Sequence, residues 1–168
     1  MNSYFSSLAR YNAWANRRIY AAVGELAPDE IAAPRIGFFP SLLKTLNHLI
    51  VADRIWLSRL TGIADPEMTS LDQIVWADFA ALTRARVALD ARIVEIVQGI
   101  SDQRLSEILL YKTTSGIAHE TPISLVLGHM FNHQTHHRGQ AHGMLSGTKA
   151  PPPSLDLIAF LREDPASA

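Results

Sequence analysis

Long amphipathic stretches cut by proline and glycine constrain this chain more than any other feature. From about Ser3 to Gly24, Phe5, Leu8, Tyr11, Trp14, Ile19, Ala22 and Val23 recur at helical spacing, with Gly24 as the stop. Pro28, Pro34, Gly37 and Pro40 then break up a connection that cannot be one helix. It is long for a link between neighbouring helices, which points to a crossover over the end of a bundle. Ser41 is a good N-cap for a second amphipathic run, Leu42, Leu43, Leu46, Leu49, Ile50, Trp56, Leu57 and Leu60, ending at Gly62. After a loop over 63–70, a third helix is expected from Asp72 or Asp78 to Val97, carried by Phe79, Leu82, Leu89, Ile93 and Ile96. Arg86 falls on that apolar stripe, so it either pairs with a buried acid or reaches out to water.

Gly99 and Ser101 end the third helix, and Ile108–Thr113 is rich in strand formers. With Thr114-Ser115-Gly116 as the turn and 117–120 returning, this reads as a short β-hairpin that must pack on the helices to be stable. Thr121 and Pro122 are expected to open a fourth long helix as N-cap and first-turn proline, running to about Leu145. Pro151-Pro152-Pro153 is a stiff spacer before a short capping helix over 154–163 and a frayed tail. The expected fold is all-α, a four-helix bundle with a long crossover connection and a short β-hairpin before the last helix, in one domain over 1–168.

Charge removes some functions. The formal net charge is -1, and the arginines are interleaved with acids, so the basic stripe of a nucleic-acid binder is missing. The chain has no cysteine, which excludes disulfides, thiolate ligands and cysteine nucleophiles together. Any metal must therefore be held by nitrogen and oxygen donors. No apolar run approaches the roughly 20 residues that span a bilayer, and Met1-Asn2-Ser3-Tyr4-Phe5 does not read as a signal peptide. A cytoplasmic protein without membrane or nucleic-acid partners is expected.

Five of the seven histidines lie in the fourth helix: His129, His133, His136, His137 and His142. With His133 set to zero and ~100° per residue, Val126 and Met144 fall near ~20°, His137 near ~40° and Met130 near ~60°. His133 and His137 thus share the apolar face, His129 and His136 sit at its edge, and His142 points away into solvent or an oligomer interface. Two imidazoles one turn apart can aim at one ion, and a metal removes the cost of burying them without a polar partner. A buried histidine bonded to a carbonyl is the plainer alternative for each. Elsewhere, His119 belongs to the hairpin and reads as solvated, while His48 lies at the border of the second helix's apolar face and can reach the core.

Three segments carry a resemblance: Tyr11-Asn12-Ala13-Trp14-Ala15-Asn16-Arg17-Arg18, then 46–56 around Asn47-His48 and Asp53-Arg54-Ile55-Trp56, then His129–Gln140. The last is similar to the signature Asn-His-x-x-His-His-Arg-Gly-Gln, and the sequence resembles the DinB-like (DinB/YfiT) metal-binding helical bundles. The resemblance implies metal ligands at His48, His133 and His137, and a homodimer, for which Trp14 and the first helix offer a surface. His136, adjacent in the motif, is the least secure exclusion.

Relatives of this kind resemble transferases or isomerases that use low-molecular-weight thiols. That implies a metal-dependent enzyme, with a small-molecule thiol as cosubstrate and one divalent ion, zinc or nickel, at an open position. The competing classes are a non-catalytic metal-binding protein (structural, sensing or stress-response), and a metal-dependent hydrolase. Asp53 and Glu120 are candidate bases, although a helix-surface or loop carboxylate is the plainer reading of each. Trp56 is a candidate pocket wall or core residue, and Tyr11 and Asn12 either line the pocket or pack on the second helix.

Overall fold

A computed structural model describes residues 1–164. Its elements are α1 (Asn2–Gly24), α2 (Pro28–Ala32), α3 (Leu42–Thr61), α4 (Phe79–Gly99), α5 (Asp102–Leu105), β1 (Ile108–Lys112), β2 (Ala118–Pro122), α6 (Ile123–Leu145) and α7 (Leu157–Glu163). The tail expected to fray beyond the last helix falls on 165–168, outside the described residues. The expected four-helix bundle is the observed one, and no described helix is long and apolar enough to cross a membrane.

The helix ends follow from local chemistry. Ser41 Oγ accepts from the Lys44 N–H (3.1 Å), and Gly62 closes α3 in the left-handed region (φ 72°), where a side chain would be strained. Asp78, rather than Asp72, caps α4 by accepting from the Ala81 N–H (2.7 Å). Two single-turn helices escape the sequence pattern: α2 inside the crossover, and α5, capped by Ser101. At α6 the expected Thr121 cap gives way. Thr121 and Pro122 belong to β2, because the antiparallel ladder extends to the Ile108–Pro122 pair, and Pro122 enters the helix without a side-chain cap. The stiff spacer also runs further than expected, so that α7 begins only at Leu157.

Around the bundle, α1 lies against α4 and α6, and α3 lies against the same two helices. Successive long helices α1 and α3 are thus diagonal, which is why their connection must be long. The core has two apolar ends. One gathers Ile19, Val23, Leu46, Leu49, Leu82 and Leu145; the other gathers Phe5, Leu57, Ile93, Val97, Leu127 and Met130.

Between them every long helix contributes polar residues to a buried layer: Asn12 and Asn16, Asp53, Arg86 and Asp90, Gln134 and Arg138. Arg86 donates to Asp53 Oδ2 and to Asp90 Oδ1, both at 2.8 Å. Gln134 Nε2 donates to Asp53 Oδ2 (2.6 Å), and Asn12 and Asn16 donate to Asp90 (3.2 and 3.1 Å). Arg138 donates to the Asn12 and Asn16 carbonyl oxygens (2.7 and 3.2 Å). Two cations and two anions cancel within the layer, and each carboxylate has several donors, the condition under which burying charge is tolerable. Burial alone would lower the Arg86 pKa, but Asp90 and Asp53 hold it above the ordinary arginine value. Arg86 therefore pairs with buried acids rather than reaching for water.

The layer corrects two sequence expectations. Asp53 is 2% exposed and is spent on Arg86 and Gln134, so it is neither a surface carboxylate nor a free base. Asn12 meets Asp90 and Arg138, on α4 and α6 rather than on the second long helix. Trp14 is corrected too: it is buried under α7, tilted against Phe160, with its Nε1–H donating to Glu163 (2.8 Å). Its ring is covered by its own chain and offers no dimer surface. Tyr11 joins that contact, donating its hydroxyl to the Leu155 carbonyl (2.7 Å).

Candidate metal centre

The buried face of α6 is set by the polar layer. Gln134 and Arg138 must face inward to reach Asp53 and the two asparagines, so the preceding residues His133 and His137 are turned about 100° back, toward α3. This displaces the helix from the orientation that its apolar residues alone suggest: His137 is buried, whereas His133 is only half-buried. His48 of α3 faces them across the interface. One ring nitrogen from each of His48, His133 and His137 lies within 4.8 Å of the others.

Hydrogen bonds aim these nitrogens. His48 Nδ1 is 2.7 Å from the Leu71 carbonyl oxygen, and His137 Nδ1 is 2.9 Å from Gln140 Oε1. Both acceptors require a proton on Nδ1, which leaves the Nε2 lone pair free on each ring. His48 Nε2 and His133 Nε2 are 3.1 Å apart. Tetrahedral ligands at ordinary zinc–nitrogen distance are separated by about 3.3 Å, so the spacing fits an ion between them. An N–H···N bond between the two rings is the alternative use of the same geometry.

Burial lowers the pKa of His48, His133 and His137 below 6.5, and the mutual repulsion of the rings carries His133 down to about 3. All three are therefore neutral at physiological pH and present lone pairs rather than protons, as metal ligation requires. Phe39, from the crossover, stacks on His48 with ring centroids 4.2 Å apart and covers one side.

The remaining histidines have other partners. Gln140 bridges: its carbonyl takes the His137 proton while its Nε2 donates to His136 Nε2 (3.0 Å), turning His136 outward. His129 packs edge-on against Trp56 (5.1 Å) and stands beside His133 (5.6 Å) without joining the cluster. His142 is half-buried rather than free in solvent: its Nε2 donates to the Pro153 carbonyl (3.0 Å), fastening the proline spacer. His119 is exposed and stacks on Tyr111 (5.7 Å), and Glu120 lies on the exposed hairpin. Trp56 is half-buried and borders the site through His129, while Tyr11 is bonded to Leu155 and Asn12 belongs to the polar layer, so neither lines the cluster. Leu71, Gln140 and Phe39 escaped the sequence reading. Only Gln140 carried a signal, as the end of the His-His-Arg-Gly-Gln run.

Three neutral imidazoles with no carboxylate or fourth imidazole joining them, among the described residues, suit an ion with an open position. Comparison with known proteins gives the chain's family and its fold. A model described as the DinB family matches residues 1–166. Protein DinB of Bacillus subtilis is 28% identical over 169 residues, covering 96% of each chain. The uncharacterized protein YizA of the same organism is 24% identical over 137 residues, covering 80% of this chain and 81% of its own. A crystal structure of a DinB-like protein from Bacillus cereus superposes with a TM-score of 0.64 at 20% identity, covering 83% of this chain and 89% of that one, and so shares the fold.

Proposed function

This chain belongs to the DinB family, and from that premise we propose that it binds one divalent metal ion through the Nε2 atoms of His48, His133 and His137 and uses it in a thiol transfer reaction. The observation that carries the reading is the convergence of three neutral imidazoles, two of them fixed in tautomer by Leu71 and Gln140. Acceptors that take the Nδ1 proton in this way fix ring orientation and raise the basicity of the opposite nitrogen. Zinc and nickel both suit an all-imidazole donor set.

A bound ion supplies Lewis acidity, lowering the pKa of a thiol held at its open position. The chain's residues do the rest. His48 and His137 hold their lone pairs inward, Phe39 keeps water from one side, and half-exposed His133 leaves the approach open. In the transfer, the thiolate sulfur forms a bond to an electrophilic carbon, the leaving group departs with its electron pair, and the thiol proton goes to solvent. With no cysteine in the chain, the sulfur must arrive on a low-molecular-weight cosubstrate.

The test is a screen of metal-loaded protein against biological thiols paired with electrophilic acceptors, with thioether formation followed by mass spectrometry. Metal-dependent product that disappears in His137→Ala supports the reading. Metal binding without turnover across the panel assigns the protein to the non-catalytic class, and turnover of esters or amides without thiol assigns it to hydrolysis.

A further inference from the structure

Arg59 has a setting unlike that of the other arginines around the site. It lies in the last turn of α3, its guanidinium carbon 4.4 Å from the Trp56 ring centroid and 5.0 Å from that of Tyr111. Trp56 touches His129, and His129 stands beside His133. Two aromatic rings therefore separate Arg59 from the histidine cluster. The side chain is half-buried, yet among the described residues its N–H groups have no hydrogen-bond acceptor and no carboxylate lies in ion-pair range. Arg54, on the same helix, and Arg86, in the buried layer, are each held by two acids.

Structural duties do not account for the charge. The Leu60 carbonyl in the last turn of α3 is taken by Arg104 (3.0 Å), not by Arg59. Trp56 and Tyr111 already meet edge to face at 5.1 Å, so the hairpin docks on α3 without a cation. An apolar side chain would fill the notch at lower desolvation cost. What guanidinium adds is a set of N–H donors held in place by the rings and left open at the edge. The opposite lip of the histidine cluster is apolar: Phe38 is 78% exposed, with its ring 6.5 Å from that of His137. The rim thus runs from an apolar lip, across three imidazoles, past Trp56 to a cation that no acid among the described residues neutralises.

We infer that Arg59 is the anion-recognition residue of the substrate site, binding a carboxylate on a small molecule whose other end reaches the His48, His133 and His137 centre. This rests on the metal-dependent reading above. A single planar fork suits a bidentate carboxylate, whereas a phosphate would call for further donors. Arg59 is a specificity residue and touches no reacting atom.

The experiment compares two thiols of equal length, mercaptohexanoate and mercaptohexanol, titrated into cobalt-loaded protein with the thiolate-to-cobalt absorption band as readout. Wild type is expected to bind the carboxylate about 10-fold more tightly than the alcohol. Arg59→Met, which keeps a stem against the two rings, should abolish that preference while leaving mercaptohexanol affinity unchanged, and Arg59→Lys should retain part of it. In metal-free protein, the Arg59 Nε–H nuclear magnetic resonance signal should shift with hexanoate and not with hexanol. A response there without any cobalt band for either thiol would remove the metal–thiol reading and leave Arg59 standing. Equal discrimination in wild type and Arg59→Met overturns the inference. So does a parallel loss of both affinities with a lowered melting temperature, or a signal that answers inorganic phosphate but not hexanoate.

Discussion

Replacing Arg86 with Met should be among the most damaging single substitutions in this protein. Arg86 is 1% exposed and bonds two carboxylates, Asp53 and Asp90, at 2.8 Å each. Met fills most of the volume and adds no charge, so the effect isolates the ion pairs. Breaking a buried pair from one side costs about 3–5 kcal/mol, because the remaining charge is stranded away from water. Here two anions are stranded, but each keeps neutral donors: Gln134 on Asp53, Asn12 and Asn16 on Asp90. The cost is therefore about 4 kcal/mol, a large share of the roughly 5–15 kcal/mol of an ordinary domain. For a chain of this size that corresponds to a melting temperature lower by roughly 8–16 °C.

The loss should also depend on pH, with a definite sign. Burial already pushes the Asp53 carboxyl above its ordinary value, against the pull of Arg86. Without Arg86 it rises further, so the folded variant takes up a proton that the unfolded chain does not. Its deficit is then largest well above the folded pKa and shrinks as pH falls toward the unfolded value. Urea denaturation of wild type and Arg86→Met at pH 8 and pH 5 reads both effects. A loss below about 1 kcal/mol, or a deficit that grows on acidification, would refute the account of the layer.

Other outcomes follow from the same structure. Gln140→Ala removes the acceptor from His137 Nδ1 and should weaken metal affinity about 10- to 100-fold in chelator competition, with little change in melting temperature. Metal-free protein should lose stability as pH falls below 6.5, because the unfolded chain then protonates histidines whose folded pKa values are held lower, about 3 for His133. The half-exposed setting of His133 screens part of this, so the readout is the direction: His133→Gln should flatten the profile between pH 6.5 and pH 4 in denaturant titrations. Ser41→Ala should cost about 1 kcal/mol through loss of the α3 cap.

Much of this was legible in the sequence where the signal is local. Ser41, Gly62 and Asp78 mark helix ends by their own backbone chemistry, and the spacing of His133 and His137 places both rings on one side of α6. The polar layer was not legible. Periodicity assigns polar residues such as Gln134, Arg138 and Asp53 to water, and only Arg86, sitting on an apolar stripe, betrayed a buried charge. That omission has a consequence at the site, since the buried partners of α6 decide its rotation and leave His133 at the rim. The carbonyl of Leu71 was beyond reach for another reason. It comes from an irregular connection, whose path is fixed by tertiary bonds such as Asn47 Oδ1 accepting from the Val75 and Trp76 N–H groups (3.0 Å each).

The central claim is that three histidines from two helices hold one ion. Elemental analysis of protein purified without a histidine tag, in wild type, His133→Ala and His142→Ala, addresses it most directly. About one divalent ion per chain is expected in wild type and in His142→Ala, whose ring bonds the Pro153 carbonyl outside the cluster, and none in His133→Ala. A metal-free wild type, or metal retained at full occupancy without His133, would contradict the account.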